Sequence, residues 1–482
     1  MSGPGRRKAK GAAVATANDV SLPVAISTKV AGRLDRWSDT LSFVLAVTGA
    51  AIGFKTIWQF PHLASQNGGG AFVLIYFLLA YVVGSPLLIA LVMLGRRTRM
   101  SPVSALADLS VGVRGGRYWS IAGWLAMVGG FIVFSYLSVI AGWTLGYFVR
   151  ALFGAFTGLT ADGLESVFVA LVKDPEKQIF WYSVFVATTT AIVAGGVRDS
   201  IEPAIKFLVP LLYAMLLSLA IYAVRAGGFA DAVSYLFTPD FNKLTPMTWL
   251  AAAAQVFFSL GLGTGMALMY GAYIKPDTSI PRAAMTVIGL DALTSIAAAL
   301  VIFAILFGGG VASASGPSLV FQSLPLAFDH LPLGRWFASL FFGLMVIIAL
   351  LTAIGLIEPA IVWLEERFSL SRRNAAVMCG ASAWTLGLAS LFAFNYGAFS
   401  FRFFGVDRNL GAFDVLQILS AEVMLPCAGL VMALFAGWML SPDSARADLQ
   451  MRSPCSFDAW LWLLRIVVPV LIVVLLFSLS KL

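Results

Sequence analysis

Ionisable side chains that fall inside long apolar stretches of the chain include Lys55, Asp291 and Glu422. A charge in hydrocarbon costs ~3 kcal/mol or more, so such residues pair with one another, line a wet cavity or carry protons. Lys55 lies about fifteen residues into its stretch, ~20 Å along a helix. That depth is close to the middle of a bilayer, where an ammonium needs a partner or loses its proton. Two glycine-punctuated runs accompany these charges, Gly49-Ala50-Ala51-Ile52-Gly53 and Ser259-Leu260-Gly261-Leu262-Gly263-Thr264-Gly265. Glycine weakens a helix, and an interrupted helix exposes carbonyls that hold cations and an N-terminus that attracts anions. Other chemistry is sparse. Cys379, Cys427 and Cys455 form no CxxC pair, and His62 and His330 are far apart, so neither a zinc site nor a Cys/His pair is supported. The ionisable residues form no nucleophile–base set, which argues against an enzyme. No ring of charges or repeated filter sequence suggests a channel.

The elements that must position these residues are membrane spans. The 482 residues are 60% hydrophobic and 12% charged, with a mean hydropathy of +0.89; soluble domains carry about 25% charged residues. A crossing needs about 20 apolar residues. Candidates lie near 40–61, 71–94, 119–153, 181–196, 203–225, 246–272, 284–310, 335–363, 374–394, 414–440 and 457–480. Their length excludes barrel strands and predicts an all-α polytopic protein of about eleven spans. Residues 1–35 are small, polar and basic, and read as a disordered tail. The loops after even-numbered spans hold Arg96, Arg97, Arg99; Arg198, Lys206; Lys275, Arg282; Arg367, Arg372, Arg373; and Arg446, Arg452. This bias predicts a cytoplasmic N-terminus, an outside C-terminus and the plasma (inner) membrane. It also accounts for the net charge of +8 without nucleic acid.

Each glycine-broken span opens a block of five. Residues 36–225 form one block, 226–440 the other, and 441–482 hold a terminal eleventh span. Paired broken helices in matching halves point to an inverted-repeat transporter; ordinary small-residue helix packing is the bland alternative.

The same segments carry a family likeness. Gly53-Phe54-Lys55-Thr56-Ile57-Trp58-Gln59-Phe60-Pro61 followed by Asn67-Gly68-Gly69-Gly70-Ala71-Phe72 resembles the first span of the neurotransmitter:sodium symporter family, which has the LeuT fold. Gln255-Val256-Phe257-Phe258-Ser259-Leu260-Gly261 resembles its sixth, with further matches at Ala141–Leu145 and Gly95–Thr98. The resemblance implies a five-plus-five inverted repeat in which spans 1 and 6 unwind around a small solute, often an amino acid or amine. It places Ala51, Phe54, Lys55, Val133, Leu137, Phe258, Ser259, Gly261, Thr264, Thr352 and Leu356 around that solute. It assigns a first sodium site to Ala51, Thr56, Ser259 and Asp291, and a second to Gly49, Ile52, Ile348 and Thr352. An outer gate falls on Gln59, Gln417 and Phe258. Tyr76, Gln255, Ser259 and Ser295 stand on the family's chloride positions.

The chain departs from the family at informative places. Lys55-Thr56 replaces Gly-Asn, and Asp291 replaces an asparagine. Either the Lys55 ammonium pairs with Asp291 where the first sodium would sit, or Lys55 snorkels and Asp291 binds sodium unaided. Leu351 replaces an oxygen ligand of the second site, which thins it. Glu422 is either a proton carrier or part of a wet vestibule. Leu137 replaces a tyrosine that binds solute carboxylates, and Tyr136, about 100° round the helix, reads as a poor substitute. Gln59 and Gln417 replace an arginine–aspartate pair and can hydrogen-bond each other instead. The expected function is symport of a small organic solute, an amino acid or amine-like compound, by alternating access. Sodium serves only as a coupling ion, weakened or replaced by protons, and no cofactor is implied. A non-transporting receptor that kept the fold is the alternative.

Overall fold

The computed structural model describes residues 34–312, 314, 316–396, 399–403, 406–451 and 453–479, the side chains of Lys55, 394–410 and 479 excepted. Most of the tail predicted over 1–35 lies outside the described residues. Among the described residues eight helices are long and apolar enough to cross a bilayer: Gly70–Thr98, Gly116–Leu152, Val197–Arg225, Ile280–Gly308, Gly334–Phe368, Arg372–Ala393, Ala412–Met439 and Pro454–Ser478. They are spans 2, 3, 5, 7, 8, 9, 10 and 11. Span 4 is the helix Pro175–Ala194. Span 1 is a broken pair, Thr40–Ala51 (1a) and Phe54–Gln66 (1b), bent by 63°. Span 6 is broken too, into Pro246–Ser259 (6a) and Met266–Ala272 (6b).

Local chemistry explains these boundaries. Asp39 caps 1a by accepting from the Ser42 N–H, and Thr245 opens 6a with a capping box to Thr248 and Pro246 in the first turn. The break in span 1 is two extended residues, Ile52 and Gly53. The break in span 6 needs left-handed backbone at Gly261 (φ 60°) and Gly265 (φ 77°), which side-chain-bearing residues adopt only at a cost.

Span 3 lies along span 8, and both face the breaks of spans 1 and 6. A short hairpin, β1 (Phe399–Phe403) and β2 (Val406–Leu410), pairs Phe399 with Leu410 between spans 9 and 10. Span 10 contains a π-helical stretch, Ile418–Met424, that includes Glu422; such bulges recur at functional sites.

Candidate functional site

The two helix breaks face one another across a cavity of about 150 Å³. Span 1 contributes Ala51 and Phe54; span 3, Val133 and Leu137; span 6, Phe258, Ser259, Gly261 and Thr264; span 8, Thr352 and Leu356. These are the residues that the resemblance placed around a solute, apart from Lys55, whose side chain lies outside the described residues. The wall is mainly hydrocarbon and aromatic, with Met266 and Leu425 completing it.

Tyr136 corrects the expectation drawn from the sequence. It lines the same cavity as Leu137. Val133, Tyr136, Leu137 and Ile140 follow i, i+3, i+4, i+7 spacing, so span 3 presents one continuous stripe. Judging Tyr136 by its 100° offset from Leu137 alone hid that stripe. Its ring meets Phe413 edge-on at 5.4 Å, and Glu422 lies within electrostatic reach. Glu422 itself is half-buried.

The gate also differs from expectation. Gln417 lines the cavity while Gln59 is half-buried outside it, and among the described residues no hydrogen bond joins them. Aromatic contacts stand nearby instead. Phe54 stacks on Trp58 (5.3 Å, 7°), and Phe257 meets Phe258 edge-on at 5.5 Å.

Behind the cavity lies a polar pocket built on Asp291, which is 1% exposed. The Tyr76 hydroxyl donates to Oδ2 at 2.9 Å, and Ser259 Oγ lies 2.8 and 2.9 Å from the two carboxylate oxygens. Ser295 donates to the Asp291 carbonyl at 2.9 Å. The buried Thr56 hydroxyl has no hydrogen-bond partner, and neither does either end of the buried Gln255 amide. Among the described side chains, which do not include that of Lys55, no Lys or Arg forms an ion pair with Asp291. The resemblance assigns Ala51, Thr56, Ser259 and Asp291 to one sodium site; of these, Ser259 is hydrogen-bonded to Asp291 and the buried Thr56 hydroxyl is unsatisfied.

The positions given to a second sodium site meet at the break of span 1. Thr352 Oγ1 lies 3.0 Å from the Ile52 carbonyl oxygen and 3.1 Å from that of Ile348. Gly49 packs against Leu351 and Val209.

At the end of the molecule rich in Lys and Arg, a second set of residues ties the half-helices down. The Trp37 indole donates to the Tyr270 carbonyl at 3.1 Å, and its ring packs edge-on against Tyr270 and Tyr273. Tyr273 donates to Glu358 at 2.6 Å, and Glu358 pairs with Arg372 at 2.5 Å. Ser42 Oγ lies 2.8 Å from the Asp39 carboxylate and 2.7 Å from that of Glu202, sharing its proton between them, and Lys206 joins the two at 3.1 and 2.9 Å. Glu358 is a further ionisable residue inside a span. It escaped the sequence reading, although an acid within the apolar run after Thr352 was a usable signal.

Helices broken at mid-span around a solute-sized cavity, with a carboxylate pocket alongside, define a secondary transporter rather than an enzyme. Residues 34–158 and 178–482 match the model of the sodium:neurotransmitter symporter family, and the chain belongs to that family. It is similar to an uncharacterized sodium-dependent transporter of Haemophilus influenzae, 32% identical over 92% of this chain and 97% of the relative. A sodium-dependent neutral amino acid transporter of Bos taurus is 29% identical, over 56% of this chain and 40% of the relative. Among solved structures, MhsT in complex with L-phenylalanine superposes with a TM-score of 0.82 at 34% identity, covering 92% of this chain and 99% of that one. The LeuT-type architecture follows.

Proposed function

We propose that this protein is a sodium-coupled symporter of neutral amino acids with apolar side chains. The observation that carries the reading is the cavity itself. It has a hydrocarbon wall of Val133, Leu137, Ile140 and Leu356, with one end of each broken helix at its polar side. The N-terminus of 1b, at Gly53 and Phe54, suits a carboxylate. The carbonyls freed where 6a ends suit an ammonium. Asp291 supplies the negative charge that a sodium ion neutralises beside the solute. Two of the similar proteins support the solute class: the bovine relative is named for neutral amino acids, and MhsT was solved with L-phenylalanine. The distribution of Lys and Arg supports a cytoplasmic location for the Trp37 end, with the chain in the plasma membrane. The two five-span blocks, 36–225 and 226–440, form the inverted repeat whose broken helices meet at the cavity.

The test is uptake of labelled neutral amino acids into proteoliposomes, with a sodium gradient against a choline control. Sodium-dependent accumulation is expected. Solute binding without any uptake would favour a receptor. Accumulation driven by a proton gradient with sodium absent would move the coupling role to Glu422 or Asp291.

A further inference from the structure

Span 8 meets the break of span 1 directly. The Thr352 hydroxyl reaches the carbonyl of Ile52, where 1a ends, and that of Ile348 one turn earlier in its own helix. A hydroxyl has one proton to give, which Thr352 shares between these two carbonyls, and its contact with Ile52 ties 1a to span 8. Its neighbour Leu351 is 2% exposed and lies in the notch over Gly49. A Cβ added to Gly49 would sit 3.2 and 3.4 Å from the two Leu351 methyls and 3.0 Å from a Val209 methyl. The space between 1a, span 5 and span 8 is therefore occupied by hydrocarbon.

A small hard cation is bound by oxygens. Here the candidate oxygens are the carbonyls of Gly49, Ile52 and Ile348 and the Thr352 hydroxyl. The Ile52 and Ile348 carbonyls share the one Thr352 proton and each keeps a second lone pair; what is missing is a side-chain oxygen at position 351, where Leu351 puts methyls over Gly49. The residues present do not fit a second sodium ion.

We infer that this chain couples one sodium ion per solute, at Asp291, and that Leu351 and Thr352 form a built-in clasp where a second ion would otherwise join 1a to span 8. The inference rests on the symport reading above and deepens it. The concentrating power differs sharply between the two cases. A tenfold sodium gradient, ~1.4 kcal/mol per ion, supports roughly tenfold accumulation of a neutral solute through one ion and roughly a hundredfold through two.

The experiment measures the ratio of labelled sodium to labelled neutral amino acid entering proteoliposomes, and the Hill coefficient for sodium. The wild type should give a ratio and a coefficient close to one. Leu351→Thr, which returns an oxygen to the notch, should raise both towards two, and Leu351→Ser is the second variant should the first fail to fold. A wild-type ratio of two overturns the clasp alone. A wild-type ratio of one that neither variant changes shows that Leu351 is not what closes the site. Sodium-independent uptake overturns both the clasp and the symport reading.

Discussion

The Glu358 carboxylate, fully buried in span 8, lies 2.5 Å from the Arg372 guanidinium at the start of span 9. The pair also reaches span 6 through Tyr273, which donates to Glu358, and span 4 through the Val193 carbonyl, 2.9 Å from Arg372 Nε. Four spans thus share one ion pair at the end of the molecule where half-helices 1a and 6b converge. Truncating one member of a buried pair leaves the other uncompensated and costs ~3–5 kcal/mol. Glu358→Gln should lower the unfolding temperature in detergent markedly. Glu358→Gln with Arg372→Gln should recover part of the loss, because no fully buried charge is stranded; Glu365, which also pairs with Arg372 at 3.2 Å, is half-buried and keeps its contact with solvent. Equal losses in the single and double variants would show that the pair is not the stabilising unit.

Much of the cavity was legible in the sequence because glycine interruptions inside otherwise continuous apolar runs are conspicuous. They marked the segments 49–53 and 259–265, from which the family resemblance selected Ala51, Ser259, Gly261 and Thr264. The Glu358–Arg372 pair was not legible. Its members sit on different helices with a turn between them, and nothing in their separation specifies how that turn aligns the helices. Tyr136 was misjudged because its direction was compared with one neighbour, whereas the cavity accepts a whole stripe of span 3. The expected contact between Gln59 and Gln417 rested on paired substitutions, which report shared history and not the geometry of a gate.

Asp39 offers a pH-dependent test of the clamp on 1a. Its carboxylate accepts from the Ser42 N–H at 2.7 Å and from the Ser42 hydroxyl, and Lys206 lies at 3.1 Å; the Ser42 backbone bond above all holds it well below the usual carboxylate range. A carboxylate depressed in the fold contributes stability that is complete above its unfolded value, about 3.9, and is lost as pH falls through the folded value. Asp39→Asn keeps a capping oxygen and removes the charge. The variant should be less stable than wild type at pH 7, and the difference should shrink as pH drops below about 4. A deficit that stays constant across this window would assign the effect to packing.

Lys55 and Asp291 make opposing demands on a sodium ion. If sodium alone neutralises Asp291, Lys55→Met removes a like charge from the neighbourhood and should lower the sodium concentration needed for half-maximal uptake. If the Lys55 ammonium is the partner, the same change should create a sodium requirement where the wild type has none. Sodium titrations of the two proteins in proteoliposomes separate these outcomes.

Tyr136 stands at the polar edge of an apolar cavity, with its ring held against Phe413. Tyr136→Phe retains that aromatic contact and deletes only the hydroxyl. One hydrogen bond to a charged solute group is worth ~1.5–3 kcal/mol, so the KM for a zwitterionic amino acid should rise about tenfold or more if the hydroxyl engages the solute. An unchanged KM would restrict Tyr136 to shaping the wall.

Asp291 is where charge and specificity meet. Tyr76 and Ser259 bond to it, and Gln255, which the family resemblance sets with them on the chloride positions, has a buried amide without a hydrogen-bond partner. As long as Asp291 is ionised, Coulomb repulsion keeps a second anion out of this pocket. Asp291→Asn removes that repulsion and leaves the hydroxyls and the amide in place. The sodium needed for half-saturation should then rise about tenfold, corresponding to ~1.4 kcal/mol, because the ion loses its counter-charge. Chloride should restore part of the loss by entering beside Gln255. The check is uptake by the variant in chloride against gluconate at fixed sodium, with the wild type indifferent to the anion. A variant equally indifferent would mean that the pocket cannot hold an anion, whatever its family resemblance.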